Sequence, residues 1–236
     1  MNADERRVFN YLNYLWYEKV DFEPDGGVPP DFLVNGNIAI EARRLNQNYF
    51  NWTEVKGLVN DSIKMDCHID KLLNSFGAPI ANESWFIRHK FARPIGQWKI
   101  LEPKIKQALQ TFLASPNKHE GQILLKTNNF ELSILRKANN QQKTVFTKGI
   151  IIDNDFGGRV IEEMAKNINY CINEKSKKIE RFRFKYKQWW LVLVDYIGNG
   201  LNQYDIEMLR SQVPIKVDWD KIIIINSTDY TQGFEI

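Results

Sequence analysis

The stretch Pro30-Asp31-Phe32-Leu33-Val34-Asn35-Gly36-Asn37-Ile38-Ala39-Ile40-Glu41-Ala42-Arg43 decides how this chain is read. Two short runs of apolar, β-favouring residues flank a Gly-containing turn, which is the pattern of a hairpin. Two acids, Asp31 and Glu41, sit inside those runs, where burying a charge is costly. A two-residue turn at Asn35-Gly36 pairs Asp31 with Ile40 and sends Asp31 and Glu41 to opposite faces, because side chains alternate along a strand. A three-residue loop, Asn35-Gly36-Asn37, sets Asp31 directly opposite Glu41. One face then carries Asp31, Leu33, Ala39, Glu41 and Arg43; the other carries Phe32, Val34, Ile38, Ile40 and Ala42. The second register leaves one face wholly apolar, so it is the one predicted. Carboxylates facing each other across a hairpin are oxygen ligands for a hard divalent cation. The plainer alternatives are that Asp31 caps a turn after Pro29-Pro30, and that Glu41 pairs with Arg43 or Arg44.

A chain of 236 residues suits one domain, or one domain with a large insertion, and can bury a real core. Its 43% apolar and 26% charged residues are those of an ordinary soluble globular protein. The longest apolar run, Trp189 to Val194, has the length of a strand, so no membrane partner is expected. The first residues, Met1 to Arg7, lack the basic-then-apolar layout of a signal peptide. Cys67 and Cys171 make neither a disulfide framework nor a zinc site, and a reducing cytoplasm is the expected location. His68, His89 and His119 are scattered, which argues against a histidine-held metal or a histidine-based triad. A net charge of +3 excludes a polycation, yet Lys175 to Lys187 holds seven basic residues against Glu180 alone. Interleaved with Phe182, Phe184 and Tyr186, that stretch suits a polyanionic partner, or else is a solvated helix end running into a half-buried strand.

Hydrophobic spacing predicts a helix over 3–19, with Val8, Phe9, Leu12, Leu15 and Trp16 on its buried stripe and Asp4 and Glu5 in its first turn. Further helices are expected within Trp52–Phe76, Pro103–Ala114, Arg159–Lys178 and Asp205–Arg210. Strands are expected at Ser84–Phe91, Gln122–Lys126, Phe130–Arg136, Thr144–Ile152, Trp189–Tyr196 and Lys221–Ile225. This alternation predicts an α/β fold with a mixed central sheet and helices on both faces. Asp153 and Asp155 read as turn formers and helix caps ahead of a metal loop, and Asp195 as a strand terminator. Trp52, Trp85 and Trp98 are candidate stacking surfaces for bases.

Pro30-Asp31, then Glu41-Ala42-Arg43, with Glu5 on a preceding helix, resembles the PD-(D/E)XK phosphodiesterase superfamily of restriction and repair nucleases. The resemblance covers about the first 45 residues and the helix-strand unit Arg159–Tyr196. It implies a single domain with a restriction-endonuclease-like core at 1–45 and 144–236 around a mainly helical insertion at about 46–140. It also implies an Mg²⁺-dependent endonuclease, with Mn²⁺ as the substitute ion, acting on nucleic acid, DNA ahead of RNA, and a homodimer as the form that cuts both strands. Asp31, Glu41 and the backbone carbonyl of Ala42 would hold the metal, with Glu5 positioning a second ion or a water.

Arg43 departs from the family's lysine. Arginine stays protonated and cannot act as a general base, but it can clamp a phosphate oxygen. Lys175 is the candidate for a relocated lysine, one helical turn before Lys178; the alternative is that both solvate a helix surface. Lys178, Arg181, Arg183, Lys185 and Lys187 are the candidate nucleic-acid contacts. The competing reading, which Arg43 favours, is a non-catalytic member of the same fold that binds nucleic acid or a protein.

Overall fold

Asn2 starts the first helix with a capping box: its side chain accepts from the Asp4 and Glu5 N–H groups while Glu5 reaches back to the Asn2 N–H. The computed structural model describes residues 1–15, 17–51, 55–79, 83–138, 142–198, 200–213 and 219–236. Trp16 and Trp52, singled out above, lie outside the described residues. Helix α1 (Ala3–Tyr14) is followed by β1 (Val20–Phe22), β2 (Phe32–Val34) and β3 (Ile38–Leu45). Next come β4 (Asn48–Phe50), β5 (Val55–Gly57), α2 (Leu58–Asn74), β6 (Trp85–Phe91), α3 (Trp98–Ala114), β7 (Ile123–Lys126), β8 (Phe130–Lys137) and β9 (Phe146–Asp153). The chain closes with α4 (Val160–Ile179), a 3₁₀ segment (Glu180–Lys185), β10 (Gln188–Asp195), α5 (Gln203–Gln212), β11 (Lys221–Asn226) and β12 (Gly233–Glu235).

These elements form two compact units, Met1–Asn48 with Gly158–Ile236, and Tyr49–Gly157. The first is built on a mixed sheet in the order β1-β2-β3-β10-β11-β12. Strand β10 runs parallel to both β3 and β11, and the remaining pairs are antiparallel. Both faces of β10 are covered, which is why its sequence is an unbroken apolar run. On one face Val8 and Leu12 of α1 pack with Phe32, Val34, Ile40 and Val192. On the other, Met164, Ile168 and Ile172 of α4 and Leu209 of α5 pack with Ala39, Trp189, Leu191 and Leu193. The α/β class, the mixed sheet and the helices on both faces are therefore as expected for this unit.

The second unit corrects the expected insertion. It carries a four-stranded sheet, β7-β8-β6-β9, as well as α2 and α3, so it is not mainly helical. It also extends to Gly157, because β9 pairs in parallel with β6 and not with the first unit's sheet. Pro103 lies inside α3, not in its first turn, since that helix already begins at Trp98. Among the described residues no helix is long and apolar enough to cross a membrane.

Candidate functional site

The hairpin has the three-residue loop. Val34 is opposite Ile38, Leu33 opposite Ala39 and Phe32 opposite Ile40, so the next pair outward is Asp31 with Glu41. The loop holds because Asn35 and Gly36 take positive φ, 48° and 72°, a conformation asparagine and glycine adopt most readily. Strand β2 begins at Phe32, and just before it the Asp31 carboxylate extends the pairing by accepting the Ala42 N–H through Oδ2 at 2.8 Å. Register and hydrogen bonding thus fix Asp31 on the same side of the sheet as Glu41.

Helix α4 covers that side. Its residues Cys171, Lys175 and Lys178 fall one turn apart and share a face. Lys175 Nζ lies 2.5 Å from Glu41 Oε2 and 3.3 Å from Asp31 Oδ2. Lys178 Nζ lies 3.1 and 3.4 Å from the two Glu41 oxygens and 3.7 Å from Asp31 Oδ1. Glu41 has no solvent exposure, and its register neighbour on β10 is Leu191. A carboxylate in such surroundings persists as an ion only when paired, and the two ammonium groups supply that pairing. Burial alone would lower the Lys178 pKa, but the charges of Glu41 and Asp31 outweigh it and the net displacement is upward.

Arg43 continues the same face. Its guanidinium packs 5.3 Å over the Tyr170 ring. Burial raises the pKa of the adjacent Cys171 thiol, and Arg43 pulls part of that rise back down. Beyond the end of β3, Asn167 of α4 accepts from the N–H and Nδ2 of Asn48, the first residue of β4.

The predicted acids and Lys175 are brought together, and Lys175 is no surface residue: its side chain is 10% exposed. Lys178 joins them, although its sequence context suggested a nucleic-acid contact; the helical spacing to Lys175 was the signal. Glu5 does not join. Both of its oxygens are held by Asn2 at the start of α1, and among the described residues no three His, Cys, Asp or Glu side chains converge as a metal-binding group. The basic stretch is divided. Arg181 and Lys187 are exposed and Arg183 half-buried, while Lys185 Nζ pairs with Asp25 at 3.1 Å. Phe184 stands 85% exposed between them.

In the second unit, Asp153 and Asp155 do not cap α4, whose N-cap Arg159 makes no side-chain cap bond. They hold the buried Arg93 guanidinium at 2.7 and 3.1 Å, a partner some sixty residues away that local sequence could not indicate. Trp85 is core, packed edge-on to Phe112, and Trp98 stacks on His68 at 4.8 Å. Asp195 does end its strand, accepting from the Ile197 and Gly198 N–H groups.

The donor chemistry at Asp31 and Glu41 fits a hard divalent cation. Both carboxylates reach one cation position, the one the Lys178 ammonium takes, and a magnesium ion commonly uses one or two carboxylates and completes its shell with water and substrate. Set against family models, curated proteins and solved structures, the chain matches none of them.

Proposed function

We propose that the first unit is a restriction-endonuclease-like phosphodiesterase that hydrolyses nucleic acid, DNA ahead of RNA, with Mg²⁺ or Mn²⁺. The observation that carries this reading is the convergence of Asp31, Glu41 and Lys175 on one face of the sheet. Three features of the fold support it: a helix leads into the acid-bearing hairpin, and a second helix and a parallel strand follow. Asp31 and Glu41 would hold the ion, with the carbonyl of Ala42, the residue after Glu41, as a third oxygen. When bound, the ion supplies a polarised phosphate and an attacking water of lowered pKa. Lys175, fixed by burial, orients that water or a phosphate oxygen through its ammonium hydrogens. Arg43 can take a non-bridging oxygen through two parallel hydrogen bonds. Cleavage of both strands of a duplex would call on two copies of the chain.

The test is cleavage of DNA and RNA by wild type and by Asp31→Ala, with Mg²⁺, Mn²⁺ or chelator. Metal-dependent cleavage that Asp31→Ala abolishes supports the reading; cleavage untouched by that substitution, or absent on every substrate, sinks it. A second reading, a non-catalytic nuclease-fold protein that binds nucleic acid or a protein, is favoured by the full neutralisation of the acid pair by two lysines. It requires that wild type bind without cutting and that Asp31→Ala bind equally well.

A further inference from the structure

We propose that Lys178 is a resident counter-cation which a divalent ion must displace, so that this residue sets the affinity of the site for metal. The inference rests on the reading of Asp31 and Glu41 as metal ligands and names the residue that regulates them.

Charge arithmetic comes first. Asp31 and Glu41 contribute two negative charges, Lys175 and Lys178 two positive ones, and each ammonium lies within 3.7 Å of both carboxylates. A neutral cluster offers a divalent ion little net attraction. Binding therefore requires one ammonium to leave.

The two lysines are not equal candidates for leaving. The Lys175 side chain is 10% exposed, so its ammonium is held within the cluster. Lys178 is 45% exposed and stands at the solvent side of the cluster. Its flexible four-carbon stem can carry the ammonium outward into water at little desolvation cost. Glu41, fully shielded, cannot follow it out. The exchange is thus built in: Lys178 satisfies Glu41 while the metal is away, and a divalent ion takes over its contacts to both carboxylates. Lys175 stays behind as the buried cation of the loaded site.

Removing this competitor leaves the cluster of Asp31, Glu41 and Lys175 with one net negative charge, which at contact range raises divalent affinity by about ten-fold or more. The experiment is Mn²⁺ binding to the full chain, without nucleic acid, at neutral pH, read by calorimetry and by loss of the free-ion electron paramagnetic resonance signal. Lys178→Met keeps the apolar stem and loses the charge; Lys178→Gln is a second neutral variant should the first fold poorly. Both are expected to bind Mn²⁺ more tightly than wild type, while Lys178→Arg binds no better than wild type. Neutral variants that bind Mn²⁺ no more tightly than wild type overturn the inference while leaving the metal site itself intact. No Mn²⁺ binding by wild type or either neutral variant overturns the inference and the metal reading together. Whether wild type binds Mn²⁺ at all tells those two failures apart.

Discussion

Lys175 on α4 and Glu41 on β3 form an ion pair of 2.5 Å around a carboxylate with no access to solvent. Breaking a buried pair from one side is costly, because the remaining charge has lost its compensation. Glu41→Leu strands Lys175 with only the longer contact to Asp31, and is expected to lower stability by about 3–5 kcal/mol. Lys175→Met is expected to cost less, since Lys178 still contacts both Glu41 oxygens. The combined Lys175→Met, Glu41→Leu protein should regain much of the loss, as apolar replacements of buried pairs commonly do. Urea unfolding of the four proteins measures this cycle; additive losses would show that the pair does not act as a unit.

The hairpin loop offers a sharper test of how fold and site are linked. Deleting Asn37 leaves Asn-Gly, which is locally an excellent two-residue turn. The same deletion shifts the register by one and puts Asp31 and Glu41 on opposite faces. Local preference and global packing then disagree. The deletion is expected to lower the melting temperature and to abolish Mn²⁺ binding. Full Mn²⁺ binding in the deletion protein would mean that register does not set the site.

This contrast also explains what the sequence made legible. The hairpin register could be read because a one-residue slip mixes charge into an apolar face of Phe32, Val34, Ile38, Ile40 and Ala42, a local and large effect. Lys175 and Lys178 could be placed on one helix face by spacing alone, yet that spacing could not say which carboxylate they meet. Glu5 misled because an acid three residues after Asn2 looks the same whether it closes a capping box or waits for a metal. Strands β1, β4, β5 and β12 have three residues each, too short for alternation to register. The pairing of β9 with β6, and of Asp153 and Asp155 with Arg93, joins residues about sixty apart, where only tertiary packing decides.

Arg43 separates the two functional readings. Its guanidinium lies over Tyr170 and beside Cys171, on the same face as the acids. Under the phosphodiesterase reading it meets charge that develops on phosphate, and a donor so placed is worth roughly a hundred-fold or more in rate. Arg43→Ala is therefore expected to depress the cleavage rate by about that factor while Mn²⁺ affinity stays as in wild type. Arg43→Lys should recover only part, because lysine lacks the planar fork. Single-turnover cleavage and Mn²⁺ titration check both parts; a rate unchanged by Arg43→Ala removes Arg43 from the chemistry.

In the second unit, His89 of β6 stacks near Phe91 and Phe130, at ring separations of 6.2 and 6.4 Å, and has no exposure. Among the described residues neither of its ring nitrogens has a hydrogen-bond partner. Burial is the main cause that lowers its pKa from 6.5 to about 4; Asp66 opposes the fall and Lys148 adds to it. Well above pH 6.5 the ring is neutral whether folded or unfolded, and it contributes no pH dependence there. As pH falls from 6.5 toward 4, the unfolded chain takes up a proton that the folded chain refuses, so stability is lost across that window. Between pH 7 and pH 5 the loss from this residue should be about 2 kcal/mol, on the order of 3 kcal/mol by pH 4. His89→Leu keeps the site apolar and has no proton to refuse. Urea unfolding of both proteins across this range should give curves that diverge as pH falls, the variant losing less; parallel curves would show that His89 is protonated in the folded protein without penalty.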